Sequence, residues 1–232
     1  MTTIVLGSKP ITTITDVPTT VIAANGAFSQ LTMIPSTYTR LLGVFTPYLF
    51  SPILPGTPYE GRESLFHATL EAVRRCPPQT AFIRPGATSE AGAVLSAAKD
   101  FFPSGTEIRL LSRITLSWDI MKFSGMSPAS RALRMVRDRA KGYYPVSDPR
   151  FKISTGVMGA LIALAANEGF ESPIHIHGIG TTEDAYSYLS SVRADRAPHV
   201  SADIQFLKSV RAFFPQRQIL VSDSVLENAT RP

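Results

Sequence analysis

The chain has 232 residues, 44% of them hydrophobic, which allows one globular unit with a full core and excludes global disorder. Its formal net charge of +5 is too modest to choose between an anionic substrate, a membrane surface and nucleic acid. The single cysteine, Cys76, excludes an intrachain disulfide and a cysteine-based metal site, and it indicates a reducing cytoplasm. The sequence shows no pattern of a secretory signal and no apolar run of eighteen residues, so neither export nor a membrane-spanning helix is expected.

The first half of the chain alternates short apolar strands with helices. Helical periodicity predicts helices over residues 62–75 and 91–102. Alternation at this spacing predicts the α/β class, with a mostly parallel sheet flanked by helices. The predicted strands are residues 3–6, 21–24, 41–45, 81–83 and 107–111.

Turn-forming residues follow the first three strands. Gly7 and Ser8 end the first strand, Asn25 and Gly26 the second, and Thr46 the third. A glycine turn after the first strand of an α/β sheet lets backbone amides approach a phosphate or a sugar closely. The spaced glycines of a dinucleotide fingerprint are missing, so ordinary turn chemistry is the alternative for each loop.

A basic stretch, residues 131–141, is also expected to be helical. It contains Arg131, Arg134, Arg137, Arg139 and Lys141. The simplest interpretation is a solvated helix face; an acidic partner or membrane lipid is the alternative.

Residues 151–180 predict a capped helix that leads into a buried strand. Ser154 or Thr155 can accept hydrogen bonds from the free amides at the helix start, and residues 168–169 supply its end. The apolar strand that follows contains Ile174, Ile176 and Ile179 and is interrupted by Gly178 and Gly180. The start of the helix favours an anion, because its amides and dipole are positive there.

The remainder predicts a short polar flap over residues 181–200, a helix over 201–214 begun by Ser201 or Asp203, and a strand over 218–222. A tail from Glu227 is expected to be frayed. With no internal repeat, residues 1–232 are best described as one domain.

Three histidines are candidates for chemistry. His175 and His177 share one face of a strand and could bind a metal together, but no third ligand has suitable spacing, so no metal site is predicted. His199, in the flap, is expected to be exposed and to titrate near its ordinary range, which suits a general base. On local sequence alone, an ordinary surface histidine remains the favoured alternative.

A family resemblance adds to this. The segment KISTGVMGALIALAANEGFESPIHIHGIG, the tyrosines of Tyr186-Ser187-Tyr188 and the segment HVSADIQF resemble motifs of the bacterial sialyltransferases of glycosyltransferase family 42, which act on lipooligosaccharide. KDFFPSGTEIRL, VFTP, IVLGSKP and AANGAF are similar to earlier motifs of that family. The likeness extends over nearly the whole chain.

The resemblance implies a Rossmann-like domain that transfers sialic acid from CMP-sialic acid to an acceptor hydroxyl, with inversion and without a metal or other cofactor. In that interpretation His199 is the general base. Tyr188 and Tyr186 donate hydroxyl hydrogen bonds to the departing CMP phosphate and replace a metal. Lys152 stands where the family has arginine. The implied substrate-binding residues are Gly7, Ser8, Asn25, Thr46, Lys152, Ser154, Thr155, Gly156 and Gly178.

The resemblance implies a nucleotide-sugar donor and a glycan acceptor as partners. It also implies a tetramer that works in the cytoplasm, at the inner face of the membrane. Two alternatives are a transferase for another CMP-activated sugar acid such as Kdo, and a non-catalytic nucleotide-binding module that binds an acidic partner through residues 131–141. Nucleic-acid binding is disfavoured, because no aromatic residues alternate with the basic ones.

Overall fold

The fold is α/β and Rossmann-like, built on a single parallel sheet of seven strands flanked by helices. The computed structural model describes residues 2–47, 49–50, 63–84, 91–166, 172–179 and 199–231. The strands are β1 (Thr3–Leu6), β2 (Thr20–Ala24), β3 (Arg40–Phe45), β4 (Thr80–Ile83), β5 (Glu107–Leu110), β6 (Ile174–His177) and β7 (Ile219–Val221).

The order of the strands across the sheet is β5-β4-β3-β2-β1-β6-β7. The chain therefore steps from β1 out to β5 on one side, then crosses back to place β6 on the other side of β1. In open parallel sheets, the crevice at such a reversal, beyond the carboxyl ends of the strands, is the usual place for a ligand. In this fold the reversal lies between Leu6 and His177, which are register partners.

Helices cover both faces of the sheet. One face, with Val5 and Ile22, packs against α3, α5, α6 and α7; the other, with Ile4 and Val21, packs against α1, α2 and a 3₁₀ helix, Asn25–Met33. Burial on both faces explains why the strands are continuous apolar runs. The helices are α1 (Glu63–Arg75), α2 (Ala91–Phe101), α3 (Arg113–Phe123), α4 (Pro128–Ala140), α5 (Thr155–Ala166), α6 (Val200–Phe213) and α7 (Ser224–Thr230).

The start of α5 has the cap that its sequence predicts. The Ser154 hydroxyl oxygen accepts a hydrogen bond of 3.1 Å from the Val157 amide, the position that an N-cap serine normally serves. The body of α5 is buried on most sides, from Gly156 through Leu164, because it lies directly on the middle of the sheet. Among the helices of the described residues, none combines the length and apolar character needed to cross a bilayer.

The expectation of a frayed carboxyl-terminal tail was wrong. The residues from Glu227 onward were expected to fray, but Glu227 to Thr230 lie in α7, whose first turn is capped by Asp223 through a 2.7 Å hydrogen bond from the Leu226 amide. The Arg211 guanidinium pairs with Glu227 and also donates to Thr230. The tail is thus held to α6 by side-chain contacts that periodicity does not reveal.

The solvated-face interpretation of the basic helix was also wrong for two of its five basic residues, Arg131 and Arg134, whereas the other three are exposed. Arg131 is 8% exposed, and its guanidinium lies 4.4 Å from the centre of the Trp118 ring. Arg134 pairs with Asp138 and Asp148 in a largely buried cluster. Most other predicted elements are present with ends within one residue, whereas the predicted helix end at 168–169 and the flap up to residue 198 lie outside the described residues.

We expect Gly7→Ala to destabilise the fold by about 1–3 kcal/mol, because the new Cβ would overpack a site that cannot yield. That atom would lie 2.3 Å from the Gly178 carbonyl oxygen, which belongs to backbone. Urea denaturation measures the change in the free energy of unfolding. The matched control is Gly92→Ala in α2, where a Cβ meets nothing within 4 Å and should be neutral or mildly stabilising. Equal effects of the two substitutions would contradict this account of the strand-end contact.

Candidate functional site

The candidate site lies at the carboxyl edge of the sheet, where the strand ends meet the starts of α5 and α6. The helices α5 and α6 lie in the crossovers that lead to β6 and to β7, and each begins at this edge. The centre of the site is residues 152–154, which we call the 152–154 segment. It runs directly into α5 and has contacts with three other parts of the fold.

Three side chains bind the backbone of the 152–154 segment in succession. His199 Nδ1 lies 2.7 Å from the Lys152 carbonyl oxygen. The Arg84 guanidinium donates to the Ile153 carbonyl at 3.0 Å. The Ser154 amide donates to the Asp203 carboxylate at 2.7 Å. The start of α5 is thereby fixed to α6 and to the end of β4.

The contact of His199 defines its tautomer. A backbone carbonyl oxygen only accepts hydrogen bonds, so Nδ1 of the ring must carry the proton that lies between it and Lys152. In the neutral imidazole the other nitrogen, Nε2, then has a lone pair and can accept a proton. His199 occupies the N-cap position of α6, so its backbone is held by the helix while its ring is held by the segment.

Burial lowers the pKa of His199 below its ordinary value, and the nearby Arg84 and Lys152 charges lower it further, against an opposing effect of the Lys152 hydrogen bond. The expectation of an exposed histidine with an unperturbed titration was therefore wrong: the ring is partly buried between α6 and the 152–154 segment. The consequence is that His199 is predominantly neutral at pH 7.

Asp203 is a buried carboxyl group, 6% exposed. Burial raises its pKa to about 7, despite the opposing hydrogen bonds from Ser154 and the charge of Arg84. From the sequence, Ser201 or Asp203 was expected to begin this helix. Instead α6 begins at Val200, and the Asp203 carboxylate accepts a hydrogen bond from the amide of Ser154, the residue just before α5. Asp203 thus joins the two helix starts.

Arg84 is the residue that sequence reasoning missed. It directly follows β4, and the only sequence feature that could have indicated a role is a positively charged residue at the end of a strand. Its carbonyl partner, Ile153, is 69 residues away, so no local pattern reports the contact. The positive charge that it brings lies close enough to shift the pKa values of both His199 and Asp203.

The loops after β1 and β6 touch backbone to backbone. The Lys9 amide donates to the Gly178 carbonyl at 2.8 Å, and Gly178 has a positive φ of 65°. A Cβ on Gly156 would lie 2.6 Å from Ile179, which brings the start of α5 onto the same contact. The Gly7 amide donates to the His177 carbonyl at 2.7 Å, so this amide continues the sheet. The glycines therefore serve close packing at the strand reversal.

The loops after β2 and β3 are also joined. The Asn25 side-chain carbonyl accepts a 3.0 Å hydrogen bond from the Thr46 amide, and Asn25 adopts φ of 48°, a left-handed conformation that asparagine tolerates. The Ser8 hydroxyl donates to the Ala24 carbonyl at 3.3 Å. These contacts connect the ends of β1, β2 and β3 into one continuous surface.

The structure therefore brings most of the predicted substrate-binding residues to one edge of the sheet. Lys152 is exposed there, and Ser154 and Thr155 are partly exposed at the start of α5. The first turn of α5 contains no acidic residue of its own. Tyr186 and Tyr188 lie outside the described residues, as does Gly180.

The paired histidines of β6 lie on the opposite face of that strand from Ile174 and Ile176. His175 Nδ1 is 2.8 Å from the Asp16 carboxylate, and His177 Nε2 is buried with no hydrogen-bond partner among the described residues. Among all the residues that the structure describes, no group of three or more His, Cys, Asp or Glu side chains is arranged to hold a metal ion.

No significant match to this chain was found among protein-family models, curated proteins or solved structures. The resemblance drawn from the sequence motifs therefore remains a hypothesis, and the geometry of the carboxyl edge is the independent basis for an assignment.

We expect Asp203→Asn to change how stability depends on pH. The folded-state pKa of Asp203, about 7, is raised above its ordinary value of 3.8. A raised carboxyl pKa gives stability that is present at low pH and is lost as the pH rises, here from about 4 to about 7. Over that window the wild type should lose on the order of 3 kcal/mol relative to Asp203→Asn. Thermal unfolding of both proteins across this pH range measures it.

The control is Asp148→Asn, for which the sign is opposite. Hydrogen bonds from Arg150 lower the pKa of Asp148 to about 2, so its contribution to stability is fully present above about pH 4 and is lost on acidification. Wild type and Asp148→Asn should keep a constant difference between about pH 5 and 7. If wild type and Asp203→Asn also differ by a constant amount across their window, the assignment of Asp203 is wrong.

Proposed function

We propose that the protein is a metal-independent, inverting glycosyltransferase that moves sialic acid from CMP-sialic acid to a hydroxyl group of a galactoside or lipooligosaccharide-type acceptor. The observation that carries the proposal is the hydrogen bond between His199 Nδ1 and the Lys152 carbonyl. It leaves Nε2 unprotonated in the neutral ring, and a neutral imidazole is the state required of a general base.

In the proposed reaction, His199 Nε2 takes the proton of the acceptor hydroxyl. The hydroxyl oxygen then forms a bond to the anomeric carbon of the sugar, and the bond from that carbon to the phosphate oxygen breaks with CMP leaving as the anion. The lowered pKa of His199 keeps the base unprotonated at neutral pH. Displacement from the opposite side inverts the anomeric centre.

The positive groups beside His199 suit an anionic donor. Lys152 is exposed in the 152–154 segment, the Arg84 guanidinium is bonded to the carbonyl of the next residue, Ile153, and the dipole of α5 adds positive potential at the start of that helix. A sugar acid linked to a nucleotide phosphate presents a carboxylate and a phosphate to such a surface. The positive groups therefore suit a CMP-sugar acid as the donor.

We expect His199→Ala to lower the rate of transfer by about 10²- to 10⁴-fold, because a positioned general base contributes that much. The assay follows CMP released from CMP-N-acetylneuraminic acid with a galactoside present and metal removed by EDTA. His67→Ala is the matched control, since His67 lies exposed on α1, and its rate should equal that of the wild type. Unchanged release by His199→Ala would exclude the assigned role.

The two tyrosines have a separate test. Tyr188→Phe and Tyr186→Phe remove only hydroxyl groups, so if these donate to the leaving phosphate, each substitution should lower the turnover number by about 10- to 10³-fold. Tyr38→Phe is the control, because Tyr38 packs beside the apolar cluster on the α1 side of the sheet. A turnover number at the wild-type level in both single variants and in the double variant would remove the tyrosines from the mechanism.

The same assay decides the identity of the donor. CMP-Kdo in place of CMP-sialic acid tests the nearest alternative, because the two donors share the carboxylate and the phosphate but differ in the rest of the sugar. Faster release from CMP-Kdo would reassign the donor and keep the base. Calorimetry with CMP that shows no binding would instead favour a protein without transferase activity.

A further inference from the structure

The helix α4 has charged side chains on its inward face and apolar side chains on its outward face, the reverse of an ordinary surface helix. Its inward side holds charged residues: Asp138 is fully buried, Arg131 is 8% exposed, and the Arg134 side chain is 12% exposed. Arg134 donates to Asp138 at 2.8 Å and its guanidinium lies 5.1 Å from the Phe151 ring. These inward charges of α4 thus hold the helix to the body of the protein.

The outward side of α4 is apolar. Leu133 is 71% exposed and Val136 is 69% exposed, the two highest values among the large apolar side chains of the described residues. Ala129 and Ala140 extend the same stripe, since positions 129, 133, 136 and 140 are spaced four, three and four apart. We call these four residues the outer stripe. Contiguous exposed apolar residues on a helix mark an interaction surface more often than scattered ones do.

Positive charge borders the outer stripe on both sides. The Arg137 side chain is 54% exposed, and Arg139 and Lys141 are exposed as well. Among the described residues, the acidic groups close to α4 are already engaged: Asp138 pairs with Arg134 and also with Arg137, Asp148 pairs with Arg134, and Asp119 on α3 lies near Lys122 and Arg131. The border of the stripe is therefore cationic.

We propose that the outer stripe docks on the surface of an anionic lipid bilayer. A helix with an apolar outward face and cationic borders lies in the plane of the membrane interface, with its apolar side chains among the acyl chains and its cations at the phosphates. A second copy of the chain suits the face less well, because its stripe would bring another cationic border and no exposed carboxylate. With one leucine, one valine and two alanines, the docking is weak, reversible and sensitive to salt.

The docking surface is connected to the candidate site through one ion pair. Arg134, on the inner side of α4, bonds to Asp148, which caps the short 3₁₀ helix Pro149–Phe151. That helix leads directly into the 152–154 segment. One ion pair and a single turn of 3₁₀ helix therefore connect α4 to the 152–154 segment.

The test is sedimentation of the full chain with sucrose-loaded vesicles of phosphatidylcholine alone or with about 30% phosphatidylglycerol. The wild type should sediment with the anionic vesicles, at least about tenfold more than with the neutral ones at low salt, and should be released by added NaCl. The double substitution Leu133→Ser/Val136→Ser should lower binding about tenfold or more, because it removes the apolar part of the stripe.

The matched control is Leu220→Ser/Val225→Ser, which removes the same two residue types at sites 52% and 53% exposed on β7 and α7. It should bind the anionic vesicles as the wild type does. Circular dichroism of both double variants, compared with the wild type, checks that they are folded. The vesicle measurements do not depend on enzyme activity, so their result tests membrane docking independently of the proposed transferase reaction.

Four results would overturn the proposal. They are no sedimentation of the wild type, equal sedimentation with neutral vesicles, equal loss in both double variants, and full binding by Leu133→Ser/Val136→Ser. Light scattering adds a further arm. A dimer that Leu133→Ser/Val136→Ser dissociates, without vesicle binding by the wild type, would assign the outer stripe to a second copy.

Discussion

The backbone of residues 152–154 is the constraint on which the site depends. A helix start leaves amides without partners, and the carbonyls just before it have none in the helix either. In this protein those groups are satisfied by His199, Arg84 and Asp203, which come from the start of α6 and the end of β4. The same bonds that stabilise the start of α5 therefore determine where the imidazole lies and which of its nitrogens carries the proton.

The sheet determines why these groups meet. The strand order reverses between β1 and β6, so α5 crosses the sheet and begins at the carboxyl edge, next to the end of β1. Gly7 and Gly178 allow the two strand-end loops to touch, which brings Ile179 against the first turn of α5. The glycines at the reversal thus let the two loops and the first turn of α5 pack closely, and the charged side chains of the site lie at the same edge of the sheet.

Much of the fold follows from the sequence, because apolar runs and 3.6-residue periodicity report burial locally. The cap at Ser154 and the α/β class were predicted correctly for this reason. The site was harder: the bond of Arg84 spans 69 residues, and that of Asp203 spans 49. The sequence also suggested an exposed His199 and solvated arginines in α4, since it cannot report which way a charged side chain turns when a distant partner is present.

The most direct test of the central claim is the tautomer of His199. Long-range ¹⁵N–¹H correlation spectra of the protein at neutral pH, assigned by the signal lost in His199→Gln, distinguish the two ring nitrogens. We expect a protonated Nδ1, bonded to the Lys152 carbonyl, and an unprotonated Nε2. A proton on Nε2 with a bare Nδ1 would contradict the geometry on which the general base rests.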